Sequence, residues 1–323
     1  MNADRSAGRG FVMSPRDAAE DWLAACPERM RAPLTACAAG HLPVSIALLR
    51  LAIEAREAQE VEDALALALR CGATLPAAGT QRLQDALRTW QATPRAFATV
   101  KKVLRGVEHR GTAASVDEGI ARWARQFDRM ANLSPEASVA LYTFGDPGLL
   151  RAATEEVVER LQDWRLLGRE RTALDLGCGI GRFVEALAPA MREVTGIDIS
   201  PVMIAHASRR CAHLPNVSVK VSSGQDLACF APGSFDLILA ADVFPYLVHT
   251  GPDLAAVHIR EAHRVLKPDG SLLILNYSYR GNDDQDRAEV AALAAQYGLC
   301  VRRLGSRDLS QWDAAIFHLA KKG

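Results

Sequence analysis

Apolar residues in the first third of the chain recur at helical spacing. Examples are Leu48, Leu49, Ala52 and Ile53, followed by Leu65, Ala68 and Leu69. This stretch is rich in Ala, Leu and Arg, and turn-forming residues interrupt it at "AGHLP", "CGATLPAAGT" and "QATPR". The pattern predicts an all-α domain of short antiparallel helices over residues 14–118, preceded by a disordered tail at residues 1–13.

A small, polar segment separates this helical domain from the rest of the chain. Residues 111–119, "GTAASVDEG", have the composition of a linker, so we expect a second domain over residues 119–323. Helical spacing resumes at its start, where Trp123, Phe127 and Met130 fall on one face. A further helix is predicted from about Leu149 to Trp164.

From Arg171 onward, short apolar runs alternate with helical stretches. The runs are "TALDL", "EVTGIDI", "VSVKVS", "FDLILAAD" and "SLLILNYS", and "CVRRLGSR" and "AAIFHLAKK" follow a late helix. Strands that alternate with helices are typical of a parallel sheet covered on both faces. The sequence therefore predicts an α/β fold: a doubly wound, mostly parallel, seven-stranded, Rossmann-like sheet preceded by the all-α domain.

Composition and cysteine spacing disfavour several functional classes. The 323 residues carry 38 Lys and Arg against 38 Asp and Glu, a balance that disfavours binding to nucleic acid. The seven cysteines form no Cys-x-x-Cys pair, and no His or Cys cluster has metal-ligand spacing, so no metal is expected. The N-terminal residues lack the apolar run of a signal peptide, and no run is long enough to span a membrane. We expect a cytoplasmic protein.

The candidate chemistry begins at the end of the first strand of the second domain. There the chain reads Asp175-Leu176-Gly177-Cys178-Gly179-Ile180-Gly181. Glycines allow a ligand to approach the backbone without meeting a Cβ atom, and ligands of doubly wound sheets bind at this edge. A dinucleotide site would need a third glycine at position 182, where this chain has arginine.

Four motifs follow one another in an order that identifies a family. "LDLGCGIG", "GIDIS", "FDLIL" and "LKPDG" occur along residues 174–270, and together they resemble the class I S-adenosylmethionine-dependent methyltransferases of the small-molecule type. The resemblance covers about residues 120–320 and leaves the N-terminal helical domain outside. It implies S-adenosyl-L-methionine as cofactor and S-adenosyl-L-homocysteine as product.

The resemblance assigns cofactor contacts along the first three strands. Asp175 and the loop of Gly177, Cys178, Gly179 and Gly181 would hold the methionine half, with Asp175 near its ammonium group. Asp198 would bind the ribose hydroxyls, Ile199 and Met203 would flank the adenine, and Ala240 would lie beside the sulfonium. The adenine amino edge would be recognised after the third strand, within Gly224, Gln225 and Asp226.

Helices that precede the first strand commonly cover the cofactor in this family. Residues 119–168 are therefore expected to form a lid that includes Trp123 and Asp128. Within it, Phe127 or Tyr142 is expected to cap the site and exclude water. The alternative is that these aromatic residues simply join the helical domain to the sheet.

Methyl transfer from a sulfonium is an in-line displacement that needs alignment and, for many acceptors, removal of a proton. His249 is the first candidate for the base, Asp242 ends the fourth strand beside the sulfonium, and Tyr246 could orient an acceptor. Arg280 could pair with a carboxylate of the substrate. For each of His249, Tyr246 and Arg280, a purely structural or solvent-exposed role is an open alternative.

The leading hypothesis is a methyltransferase that acts on an N, O or S atom of a small metabolite or a natural-product intermediate. One alternative is a protein that binds S-adenosylmethionine without turnover, as a regulatory or partner module. Another is a NAD(P)-dependent Rossmann oxidoreductase, which Arg182 opposes, and a protein substrate is a further option. The Ala-rich helical domain suits helix packing, so a homodimer or a protein partner is expected there.

Overall fold

The computed structural model describes residues 23–72, 75–106 and 114–323. The predicted tail at residues 1–13 and the start of the predicted helical domain lie outside these residues. The chain divides into two compact units, Met1–Pro94 and Arg95–Gly323. This division falls before the predicted boundary at residues 118 and 119, and the assignment of separate roles to the two domains stays a prediction.

The described part of the first unit is helical. Its helices are α1 (Glu28–Ala39), α2 (Val44–Glu54), α3 (Ala58–Cys71) and α4 (Ala77–Ala92). Leu48, Leu65 and Leu83 are fully buried between them, and the helical spacing predicted the first two. Ile53, which was predicted on the same apolar face as Leu48, is 41% exposed. Gly40 ends α1 in the left-handed region at φ 77°, and Arg82 of α4 donates to the carbonyl of Ala38 at 2.7 Å.

The second unit contains the sheet and the remaining described helices. The strands are β1 (Gly168–Leu176), β2 (Met191–Asp198), β3 (Val217–Val221), β4 (Phe235–Ala241), β5 (Leu266–Leu275), β6 (Leu299–Ser306) and β7 (Ile316–Lys321). The helices are α5 (Ala96–Gly106), α6 (Val116–Leu133), α7 (Pro135–Val139), α8 (Pro147–Asp163), α9 (Arg182–Leu187), α10 (Pro201–Cys211), α11 (Phe244–Thr250), α12 (Pro252–Val265) and α13 (Asp283–Gln296). Among the helices of both units that the structure describes, none has the length and apolar character needed to cross a membrane.

The seven strands form one sheet in the order β3-β2-β1-β4-β5-β7-β6. The first five are parallel, and β7 runs antiparallel to both β5 and β6. This confirms the predicted doubly wound, mostly parallel sheet. The last strand of the chain, β7, lies inside the sheet, and β6 forms the edge. Strand β7 is therefore buried along most of its length, whereas most of β6 is at least partly accessible.

The predicted linker at residues 111–119 is wrong at its C-terminal end. Helix α6 begins at Val116, because the Ser115 side chain caps it by accepting a hydrogen bond from the Glu118 N–H at 3.2 Å. Asp117 and Glu118 place negative charge in its first turn, where it is favourable. The polar residues that were interpreted as the end of a linker therefore form the start of a helix.

At the amino ends of the central strands, a carboxylate ties three strands together. Asp236 of β4 accepts hydrogen bonds from the Thr172 backbone N–H at 2.8 Å and from Lys267 Nζ at 2.6 Å. Burial alone would raise the pKa of Asp236, but the bonds from Lys267 and Thr172 outweigh it and lower that pKa. This network holds β1, β4 and β5 in register at the edge away from the predicted site.

Asp236→Ala should therefore lower the free energy of unfolding by about 1–3 kcal/mol at pH 7, since it leaves Lys267 and the Thr172 N–H without their acceptor. Urea denaturation measures this change. Glu170→Ala, which removes an exposed carboxylate near the same end of β1, is the control and should change the free energy by less than about 0.5 kcal/mol. Equal stability of the two variants would contradict the role given to Asp236.

Candidate functional site

Asp175 lies at the carboxyl end of β1, in the middle of the sheet. It pairs with Gly196 of β2 on one side and with Leu239 of β4 on the other. Its side chain is only 1% exposed, and its Oδ2 atom has no hydrogen-bond partner among the described residues. Buried polar atoms are normally satisfied, so an unpaired carboxylate oxygen at this edge points to a ligand.

The environment of Asp175 opposes its ionisation. Burial, the largest cause, raises the pKa of Asp175 to about 7, and the nearby Asp198 adds to the increase. The positive charge of Arg182 and the backbone N–H of Val184 act in the opposite direction but are outweighed. A bound cationic group would supply the missing partner and restore the charged form.

The glycines after β1 are required by both conformation and space. Gly177 and Gly179 have φ values of 69° and 52°, in the left-handed region. A Cβ atom at Gly177 would lie 2.2 Å from Val243 Cγ2, and one at Gly179 would lie 2.6 Å from Val139 Cγ1. The loop therefore sits directly against Val243 after β4 and Val139 of α7, with no room for a side chain.

Asp198 at the end of β2 holds the glycine loop in place. Its Oδ2 accepts a hydrogen bond from the Gly179 N–H at 2.9 Å, and its Oδ1 accepts one from the Ser200 N–H at 2.9 Å. Burial, the largest cause, raises the pKa of Asp198 to about 6 despite these bonds. A carboxylate has about four acceptor positions, so these two bonds leave capacity for a ligand hydroxyl.

Helix α6 is fastened over this edge of the sheet. Asp128 accepts hydrogen bonds from Ser200 Oγ at 2.5 Å and from the Val202 N–H at 3.2 Å, which ties α6 to the start of α10. Further along the edge, Gln225 donates to Asp117 Oδ1 at 2.7 Å. Residues before the first strand therefore cover the ends of β2 and β3.

The other predicted cofactor residues lie along the same edge. Met203 is fully buried in α10, and its Sδ is 3.9 Å from Ser138 Oγ of α7. Gly224 has φ 73°, and the half-buried Asp226 accepts a hydrogen bond from the Ala228 N–H at 3.0 Å. The remaining residues, which are buried or half-buried at the ends of strands or in the glycine loop, are Cys178, Gly181, Ile199 and Ala240.

Polar groups meet at the ends of β4 and β5. Asp242 Oδ1 accepts hydrogen bonds from Asn276 Nδ2 at 2.8 Å and from the Tyr279 hydroxyl at 2.6 Å. Burial, the largest cause, raises the pKa of Asp242, while the bonds from Tyr279 and Asn276 act against the increase. Asp242 as a residue is half-buried.

Five rings from three segments form a contiguous group that reaches Asp242 through the Tyr279 hydroxyl. We call this set, which consists of Trp123, Phe127, Tyr246, His249 and Tyr279, the aromatic cluster. Tyr246 of α11 lies at its centre, with ring centroids 4.8 Å from Trp123, 4.9 Å from Phe127 and 6.1 Å from Tyr279, all edge-to-face. The Trp123 Nε1 atom is buried and has no hydrogen-bond partner among the described residues.

Phe127 and Tyr142, which were expected to share the capping role, lie in different surroundings. Phe127 belongs to the aromatic cluster, whereas Tyr142 stacks on Trp312, before β7, with ring centroids 5.8 Å apart. Burial, the largest cause, raises the pKa of Tyr142 to about 12. The capping role of either residue stays a prediction.

Arg280 and His249, two of the candidate catalytic residues, differ in whether their side chains are free to contact a ligand. Arg280 forms ion pairs with Asp286 at 2.6 Å and with Glu289 at 2.7 Å, both on α13. These carboxylates already pair with its guanidinium, and the expectation that Arg280 binds a substrate carboxylate stays a prediction. His249 is exposed at the rim of the aromatic cluster, with its ring centroid 5.5 Å from that of Trp123.

Since the pKa of Asp175 is raised on folding, the stability that this residue contributes is present at low pH and is lost as the pH rises toward about 7. Asp175→Asn should therefore stabilise the unliganded protein more at pH 8 than at pH 5, by about 1–3 kcal/mol. Denaturant unfolding at the two pH values measures the difference. Glu193→Gln, at an exposed carboxylate of β2, is the control, and a pH-independent effect of Asp175→Asn would contradict the assignment.

Comparison with known proteins places these features in a family. A family model described as "Methyltransferase domain" matches residues 174–274. The ubiquinone biosynthesis O-methyltransferase of Xanthomonas campestris pv. campestris (strain B100) is 35% identical over 102 residues, which cover 31% of this chain and 41% of that protein. The demethylmenaquinone methyltransferase of Tropheryma whipplei (strain Twist) is 31% identical over 157 residues, or 48% of this chain and 59% of that protein.

Among solved structures, a SAM-dependent methyltransferase from Aquifex aeolicus has 22% sequence identity to this chain and a TM-score of 0.40. The match covers 54% of this chain and 92% of the Aquifex chain. The chain spans between 41% and 59% of the length of the two curated relatives described above. The motifs of β1 to β5 and the order of the sheet agree with the family match. Residues 174–274 therefore match a methyltransferase domain, and their motifs resemble those of the class I S-adenosylmethionine-dependent methyltransferases.

Proposed function

We propose that the protein transfers the methyl group of S-adenosyl-L-methionine to an N, O or S atom of a small molecule. The observation that carries the proposal is the unpaired Oδ2 atom of the buried Asp175, which lies beside the glycine loop within the family match. The bound cofactor would supply a methyl group already activated by its sulfonium. The protein would then have to bind, align and shield the reactants.

The residues at the ends of β1 and β2 suit the two halves of this cofactor. Asp175 would accept hydrogen bonds from the ammonium group, and the backbone of Gly177–Gly181 would lie against the methionine chain. Asp198 would accept from the ribose hydroxyls. A pyrophosphate at the same place would bring an anion to a buried carboxylate that lacks a cationic partner, and this disfavours a nicotinamide dinucleotide.

The ends of β4 and β5 supply the acceptor side. Asp242 is positioned by Asn276 and Tyr279, and the aromatic cluster would shield the reacting atoms from water. An acceptor hydroxyl or ammonium group must lose a proton, and a half-buried carboxylate with a raised pKa is a suitable base. We therefore propose that Asp242 accepts the proton of the acceptor group. The exposed His249 is the alternative base.

The aromatic cluster favours an acceptor that carries a ring. Edge-to-face contacts with Trp123, Phe127 or Tyr246 would orient a flat ring, and the Trp123 Nε1–H would be available to donate to an oxygen on it. The curated relatives carry the names of quinone-pathway methyltransferases, which supports a small aromatic acceptor of this kind.

Titration calorimetry tests the cofactor assignment. S-adenosylmethionine should bind and NAD should not. Asp198→Ala should weaken binding of S-adenosylmethionine by about 5- to 150-fold, corresponding to about 1–3 kcal/mol for lost hydrogen bonds to a charged group. Glu193→Ala, an exposed position near the start of the same strand, is the matched control and should leave the affinity unchanged. Binding of NAD in place of S-adenosylmethionine would sink the proposal.

Transfer of a labelled methyl group tests turnover. With the small-molecule fraction of an extract from the source organism as acceptor, the wild type should label a small product. Asp242→Asn should lower the rate by about 10²- to 10⁴-fold, because it removes the base but keeps the shape of the side chain. Cofactor affinity, measured separately, should change much less.

His249→Gln is the comparison variant for this experiment. If His249→Gln abolishes labelling and Asp242→Asn does not, the proton acceptor is His249. If the wild type binds the cofactor and labels no small molecule, the protein is a binding module or methylates a macromolecule. A cytoplasmic location, and a homodimer or protein partner bound through the helical domain, stay predictions.

A further inference from the structure

Arg182 is a buried cation that the mechanism above does not use. It follows Gly181 directly, begins α9 and is only 6% exposed. Its guanidinium carbon lies 4.2 Å from the centroid of the Phe183 ring and 5.9 Å from that of the Trp312 ring. Its Nη1 donates to Thr154 Oγ1 at 3.3 Å, which is a neutral partner.

No carboxylate of the described residues forms an ion pair with Arg182. The positive charge of Arg182 nevertheless affects the pKa values of two nearby carboxyl groups. Burial is the largest influence on Asp175 and on Asp242 and raises the pKa of each, and in both cases the positive charge of Arg182 counteracts part of that increase. A guanidinium offers five N–H donors. Burying its charge without a counter-charge costs free energy, because the group loses its hydration. The described residues therefore offer Arg182 the hydroxyl groups of Thr154 and Tyr142 and two aromatic rings, but no carboxylate within ion-pair distance.

Asp175, at the other end of the same loop, lacks a hydrogen-bond donor for one of its carboxylate oxygens. Its Oδ2 atom lacks a donor, while the guanidinium of Arg182 lacks an anion. The two residues bracket Gly177–Gly181, and the positive charge of Arg182 lowers the pKa of Asp175 through space. A ligand with an ammonium and a carboxylate on one carbon, the α-amino acid group, would satisfy both residues at once.

We infer that Arg182 binds the α-carboxylate of the cofactor and makes the site selective for nucleosides that carry a complete amino acid group. This inference rests on the proposed function and extends it to the specificity of the cofactor site. The arginine that stands where a dinucleotide fingerprint needs glycine is, in this interpretation, itself a binding residue. Asp175 and Arg182 then act as a pair.

The test compares three ligands by titration calorimetry on the full chain. S-adenosylhomocysteine has both charged groups, its decarboxylated analogue keeps only the ammonium, and methylthioadenosine has neither. The wild type should prefer S-adenosylhomocysteine to the decarboxylated analogue by about 10- to 100-fold, the scale of a buried charge-assisted pair. An equal affinity for these two ligands in the wild type would overturn the inference without any variant.

Arg182→Met removes the charge and keeps a side chain that can pack on Phe183 and Trp312. It should bind S-adenosylhomocysteine about as weakly as the wild type binds the decarboxylated analogue, with the affinity for that analogue unchanged within about threefold. Arg182→Lys should restore part of the preference. Asp175→Asn is the matched variant, and it should weaken binding of both ligands that carry the ammonium.

A structural role for Arg182 gives a different result. Arg182→Met would then lower the affinity for all three ligands equally, and this outcome would overturn the inference. Thermal unfolding of the unliganded variant separates folding from binding, because losing an unpaired buried charge should leave the midpoint unchanged or higher. If the wild type binds none of the three ligands, the proposed function fails as well, whereas loss of the preference alone removes only the role of Arg182.

Discussion

Burial of the Asp175 carboxylate at the centre of the sheet is the constraint on which the site depends. Strand β1 has parallel neighbours on both sides, so the end of β1 is closed off by β2 and β4 and then covered by the glycine loop. Water can then solvate the carboxylate only poorly, and one oxygen is left without a donor. The same topology brings Asp198 and Asp242 to the ends of the neighbouring strands, so the fold concentrates three acidic groups along one edge.

The turns after β4 and β5, where we propose that the acceptor binds, are held together by side-chain hydrogen bonds. Asp242 and Asn276 have φ values of 57° and 64°, in the left-handed region that Asp and Asn adopt more readily than other non-glycine residues. The Asn276 amide group donates to Asp242 through Nδ2 at 2.8 Å and accepts from the Ala315 N–H through Oδ1 at 3.0 Å. The start of β7 therefore supports the turn after β5, and an antiparallel strand inserted late in the chain helps to position Asp242.

Much of the sheet and of the cofactor side could be predicted because the signals are local. Alternating apolar runs specify strands, and the sequence "LDLGCGIG" identifies a turn that only glycine can make at Gly177 and Gly179. The helix start at Ser115 was missed because a capping residue with acidic neighbours has the composition of a loop. The ion pairs of Arg280 with Asp286 and Glu289 were not predicted, because no local pattern reveals how closely their helix approaches.

The sequence by itself determined the order of strands and helices along the second domain, the glycine loop and the acidic residues that end β1 and β2, since each is encoded within a few consecutive residues. Only the tertiary structure decided that β7 lies between β5 and β6, that Trp123 and Phe127 pack against Tyr246, and that Arg182 is buried without a counter-charge. These features depend on contacts between segments far apart in the chain. Whether a side chain is paired, buried or available is a property of what surrounds it in space, and periodicity along the sequence carries no record of that.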